Sequence, residues 1–285
     1  MGLFSRRIFL LVLLLLVPRW PAAAADIDFP SPDQAVSAKG MTSYLDLARH
    51  FVPDIQAVDG AYVGNSLIKL RHIAGDQYAG ADATSFGFYD ISAVRMQSAG
   101  KERLLVLFDF AQSEKAAQGV AVLGLYDISG EPKLLDAADI GFDQSTYFFD
   151  QALLPIADDS DAILTMSTHF NSNQTYVMQA LIMVRDDRLE FVDKISLFDD
   201  RACGRQRHQT IAYDANPAAG KPYAPIIATV TDTTTVSMEE CGDGAQASNS
   251  SRQIRTTYRW QTASARYVPD SDAFSKLAKE NEQRF

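Results

Sequence analysis

The stretch QALLPIADDSDAILTMSTHFNSNQTYVMQALIMVRDDRLEFVDKISLF, residues 151–198, decides the fold class. Four of its segments, 151–156, 162–170, 175–185 and 189–198, are apolar, rich in β-branched residues and of strand length. Polar turn residues separate them, among them Asn171-Ser172-Asn173 and Arg185-Asp186-Asp187-Arg188. The same pattern precedes it at 91–96, 103–110, 119–128 and 133–142, and follows it at 209–213, 225–231, 254–261 and 266–269. The turn before the last strand recurs too, as Asp127-Ile128-Ser129-Gly130 in the first copy and Gln261-Thr262-Ala263-Ser264 in the third.

A lone four-stranded sheet leaves one face bare, so tandem units of this kind stack on one another. The expected fold is therefore all-β, built from tandem four-stranded antiparallel units in a β-propeller-like arrangement. An irregular double β-sandwich is the alternative. Three copies fall short of the usual minimum of about four blades. A fourth would have to come from 62–88, or else 41–86 forms a cap.

The expected units are 87–149, 150–206 and 207–270, within one β-repeat domain at 26–285. Residues 26–86 supply a lead-in, a helix and the cap. Thr42-Ser43 starts a short helix with Leu45, Ala48 and Val52 on one face, and 66–73 alternates weakly as a strand. A second helix occupies 271–285, capped by Asp272, with Phe274, Leu277 and Ala278 on one side.

Residues 1–25 read as a cleavable signal peptide. Arg6-Arg7 is the basic start, 8–17 is the apolar core, and the small residues 22–25 place cleavage after Ala25. The core is shorter than the roughly 20 residues a membrane span needs, so no integral membrane segment is expected after its removal. Ser5-Arg6-Arg7-Ile8-Phe9-Leu10 resembles the twin-arginine export pattern, but the strongly apolar core favours general secretion. The destination is periplasmic or secreted.

The full chain has 26 Lys+Arg against 36 Asp+Glu. The leader holds three Arg and no acid, so the mature chain stands at 23 against 36, a net charge of −13. Such a balance excludes a protein that grips nucleic acid by neutralising phosphates. Two cysteines remain, and in an oxidising compartment Cys203 and Cys241 are expected to form a disulfide. Closing a loop of that size stabilises by roughly 4 kcal/mol in the chain-entropy picture.

No nucleophile elbow, phosphate loop or zinc motif is present, which points away from an enzyme, and no metal or cofactor is expected. Two constellations remain. Asp109, His169 and Asp232 end the second strand of each unit, the set a metal-assisted or acid–base hydrolase would use. The hairpin tip offers His169, Asn171, Asn173, Gln174 and Tyr176 as polar ligand contacts, with Thr165, Ser167 and His169 on one strand face and Leu164, Met166 and Phe170 on the other. The first expectation is a non-catalytic binding or scaffold module for a small polar ligand, a glycan or an extracytoplasmic protein. The alternative is the hydrolase.

Overall fold

Ser43 starts helix α1 (Tyr44–Ala48) through a capping box, its hydroxyl accepting from Asp46 N–H while the Asp46 carboxylate accepts from Ser43 N–H. The computed structural model in which this is seen describes residues 26–38, 40–76, 85–88, 91–112, 118–202, 204–218, 222–236 and 248–284. The leader with its cleavage point after Ala25, and both Cys203 and Cys241, lie outside the described residues.

Three short strands follow α1: β1 (Gln56–Val58), β2 (Ala61–Gly64) and β3 (Phe86–Phe88), in one small antiparallel sheet. The expected strand at 66–73 is not formed as such. Its backbone makes single contacts instead, Ile68 N–H to Phe51 O and Ile73 N–H to Asp139 O, and His72 forms one parallel bridge with Asp139. Asp54 accepts from the N–H groups of both Asn65 and Ser66, which turns the chain before a ladder can start.

The first unit is the sheet β4 (Ser92–Ser98), β5 (Lys101–Gln112), β6 (Gly119–Asp127) and β7 (Lys133–Asp139), a simple meander. The second is β8 (Ser145–Ala157), β9 (Ser160–Asn171), β10 (Gln174–Arg185) and β11 (Arg188–Ala202). The third is β12 (Arg205–Ala215), β13 (Ile226–Val236), β14 (Ser250–Gln261) and β15 (Arg266–Pro269). Helix α2 (Ala273–Glu282) closes the chain. The fold is thus mostly β, in open antiparallel sheets with two short helices, and the strands of the three units lie where the alternation placed them.

The second and third units join edge to edge into one eight-stranded sheet, but the joint is thin. β11 and β12 pair only at Asp200↔Arg207, Arg201↔Gln206 and Ala202↔Arg205, whereas β12 and β13 pair continuously from Arg205↔Val236 to Ala215↔Ile226. Beyond that hairpin the strands part, and Gln209 spans the opening. Phe198 N–H donates to its Oε1 at 2.9 Å, and its own N–H donates to Asp199 Oδ1 at 2.7 Å. Asn281 of α2 exchanges two amide hydrogen bonds with Gln209, at 3.0 and 3.2 Å, so the helix is wedged into the gap.

Alternation along each strand feeds three successive cores. Leu104, Val106, Phe108 and Phe110 of β5 pack on α1 and β3, while Leu105 and Leu107 on the opposite face meet Ile163, Ala180, Ile182 and Val184 of the second unit. Leu181 and Met183, on the other face of β10, pack with Ile211, Ile226, Val230 and Tyr258 of the third unit and with Phe274 and Leu277 of α2. The first meander is thus covered by α1 and β3 on one face and by β8–β11 on the other, whereas the third buries one face and presents alternate residues of β12 to solvent.

Candidate functional site

The β9–β10 ladder sets Tyr176 directly opposite His169. Their rings stack with centroids 4.1 Å apart and planes 9° from parallel. His169 Nδ1 lies 2.6 Å from Oδ2 of Asp143, a carboxylate only 6% exposed, while the imidazole side chain is 25% exposed. An ionised carboxylate only accepts, so Nδ1 carries the proton and Nε2 is the ring atom left for a second contact. Tyr176 donates to Gln174 Oε1 at 2.8 Å. Burial, then the neighbouring Asp143 charge, pushes the Tyr176 phenol above its ordinary pKa.

Asn171 is exposed beside the turn, which Ser172 makes in the left-handed region at φ 43°, and Asn173 is exposed within it. The expected division of β9 into polar and apolar faces needs correction. Thr165 and Ser167 are each 1% exposed and serve internal contacts. Ser167 Oγ accepts from Phe142 N–H and lies 2.8 Å from Thr146 Oγ1. Phe170, placed on the face of Leu164 and Met166, is 75% exposed at the hairpin tip.

Asp109, His169 and Asp232 lie on β5, β9 and β13, and each has a different partner. Asp109 accepts from Thr146 N–H at 3.1 Å, tying β5 to β8. His169 has Asp143. Asp232 lies four strands from His169 in the order of the sheet, chelated by Arg207 through Nε at 2.5 Å and through Nη2, and bound by Arg252 Nε at 3.0 Å. Burial pushes the Asp232 carboxyl up, but the hydrogen bonds from Arg207 and Arg252 outweigh it and hold its pKa below the usual value. The three do not form one centre, and among the described residues no group of three or more His, Cys, Asp or Glu is placed to hold a metal ion.

The Arg207–Asp232 pair belongs to an open cleft of about 360 Å³ between the ends of β12–β14 and the C-terminal part of α2. Arg205, Arg252, Glu280 and Arg284 line it too, with hydroxyls from Thr234, Ser250 and Ser251. Arg252 also pairs with Glu280, and Arg205 with Asp200 at 2.9 Å. Arg207 is 5% exposed. Its Nη1 is buried and has no hydrogen-bond partner among the described residues, and neither has Oδ1 of Asp200 opposite it in the ladder. An unmet buried donor of this kind costs about 1–3 kcal/mol or more when charged.

Ladder register places Asn171, Gln174, Asp200, Arg207, Thr234 and Ser250 in one line across six strands. At the usual strand spacing that line is about 24 Å long. It links the His169 hairpin to the arginine cleft. Sequence reading found the hairpin and missed the cleft and Asp143; the alternation of Arg205 with Arg207 beside an acidic chain was the available signal.

No protein family, curated protein or solved structure matches this chain. Among the described residues no helix is long and apolar enough to cross a membrane.

Proposed function

We propose that the protein is an exported, non-catalytic binding module whose site is the β9–β10 hairpin. The observation that carries this is the His169–Tyr176 stack, braced by Asp143, with the imidazole one-quarter exposed to solvent. A braced aromatic pair next to the exposed amides of Asn171 and Asn173 and an exposed Phe170 suits a small polar ligand, a glycan or a peptide segment of a protein. Braced side chains bind with less loss of rotamer freedom than mobile ones. The propeller-like reading rests on the strand pattern that recurs in the sequence at 91–142, 151–198 and 209–269, and the export reading on residues 1–25.

The test is a glycan and peptide array probed with the mature protein, 26–285. Binding abolished by His169→Ala combined with Asn171→Ala supports the site; binding to nothing, or binding indifferent to those changes, defeats it. N-terminal sequencing of protein from the extracytoplasmic fraction should begin at Asp26. Thiol titration of the oxidised, unfolded protein should find no free thiol if Cys203 and Cys241 are joined.

A second reading, acid–base hydrolysis, is favoured by the Asp143–His169 pair, in which the carboxylate orients the ring and leaves Nε2 to take a proton. Asp232, four strands away, has no part in it. Turnover of a glycoside or ester panel, lost in His169→Ala and in Asp143→Asn, would establish it. No turnover in the wild type would end it.

A further inference from the structure

We propose that the cleft between β12–β14 and α2 is a second site, for a small oxyanion-bearing ligand. Four arginines and two carboxylates line it, leaving a local excess of positive charge on a chain that is strongly acidic overall. A net-positive enclave on such a surface is where an anion would gather. Arg207 is the built element. Asp232 fixes its guanidinium through Nε and Nη2, so the fork is held rigid, and Nη1 has no acceptor among the described residues.

Arg252 is held in turn by Asp232 and Glu280, and Arg205 by Asp200. Their planar forks are therefore preorganised, the condition under which arginine binds carboxylate or phosphate oxygens in pairs. Thr234, Ser250 and Ser251 add hydroxyls that can donate to the same oxygens or meet hydroxyls on the ligand. The cleft is larger than one inorganic anion needs, which suits a carboxylate or phosphate carried on a polyhydroxylated body such as an acidic sugar or a sugar phosphate. This site does not depend on the His169 reading.

Calorimetric titration of the mature protein at low ionic strength, with inorganic phosphate in one arm and glucuronate in the other, tests the proposal. Saturable binding in either arm, weakened at least tenfold by Arg205→Ala with Arg284→Ala, supports it. Both of those side chains are exposed, and Arg205 pairs with Asp200 and not with Asp232. Arg207→Lys keeps the charge, loses the fork and should abolish binding, with a thermal melt confirming that the variant folds. Where it does not fold, the double variant decides alone. Preference for phosphate assigns a phosphorylated ligand, and preference for glucuronate an acidic sugar. Saturation in neither arm, or binding untouched by the double variant, overturns the site.

Discussion

His169 and Tyr176 face each other across one ladder with parallel rings, and the imidazole so held reaches a carboxylate 26 residues earlier in the chain, Asp143. The stack fixes the ring plane and the carboxylate fixes its rotation, so neither neighbour alone would set the orientation of Nε2. Removing His169 leaves Asp143 buried with one donor fewer. His169→Ala should lower stability by about 1–3 kcal/mol. In a double-mutant cycle with Asp143→Ala the two losses should fall short of adding, as urea denaturation of the four proteins would show. Tyr176→Phe keeps the stack and should change stability by less than about 1 kcal/mol.

The wedge between the second and third units depends on Gln209. Its side chain serves Phe198 N–H and both amide atoms of Asn281. Gln209→Leu, of similar size, removes the partner of Phe198 N–H and of Asn281 Oδ1, while Asn281 Nδ2 keeps Ser196 O, and should cost about 2–4 kcal/mol. Hydrogen exchange should also show α2 opening at a lower free energy than β9 and β10. Equal protection in the variant would mean that α2 is held by Phe274, Leu277 and the Arg252–Glu280 pair without help from Gln209.

Asp139 gives stability a pH dependence of unusual sign. Burial pushes its carboxyl up to about 6, partly opposed by hydrogen bonds from Gly141 and Ala121 N–H. The folded chain then keeps a proton that the unfolded chain releases near 3.8, so this group's contribution falls as pH rises from about 4 to about 6. His72 opposes it. Its buried ring accepts from Ala74 N–H at Nδ1 and contacts Gly141 O through Nε2, an arrangement of the neutral form, and burial lowers its pKa. Its contribution is therefore lost as pH falls below about 6.5. Asp139→Asn should raise stability by up to about 3 kcal/mol above pH 6 and by nothing near pH 4, measured by denaturation at both. A benefit equal at both pH values would show that Asp139 does not titrate in the folded state.

The β10–β11 turn puts both central residues in the left-handed region, Asp186 at φ 51° and Asp187 at φ 57°. Glycine would relax either position. Asp187, however, accepts from Nε and Nη2 of the buried Arg103, at 3.1 and 2.9 Å, whereas Asp186 is 84% exposed and only meets Arg185. Asp186→Gly should be neutral or stabilising by up to about 1 kcal/mol. Asp187→Gly should destabilise by about 1–3 kcal/mol, less than for a fully orphaned buried charge, because Asp127 still lies 3.3 Å from Arg103. Thermal melts should fall for Asp187→Gly and hold or rise for Asp186→Gly.

Alternation, β-branched runs and turn residues are local properties, and in residues 91–269 they located every strand of the three units. Ser43 and Asp272 likewise marked the two helix starts, although only Ser43 caps with its side chain. The segment at 66–73 misled because its neighbour Asp54 takes the N–H groups that would have begun a ladder. What the chain could not show locally was which neighbour covers each strand face. Thr165 and Ser167 look like a solvent-facing stripe, but the first unit stacks over them; Phe170 follows Leu164 and Met166 on the other face, but the stack ends before it. The partners of His169 and of Asp232 come from segments 26 and 25 residues away, and the arginine cleft is gathered from β12, β13, β14 and α2. Strand identity follows from the backbone preferences and polarity of a few consecutive residues. Side-chain partnership follows from register, from the parting of β11 and β12, and from sheet stacking, and those are settled only when the whole chain has packed.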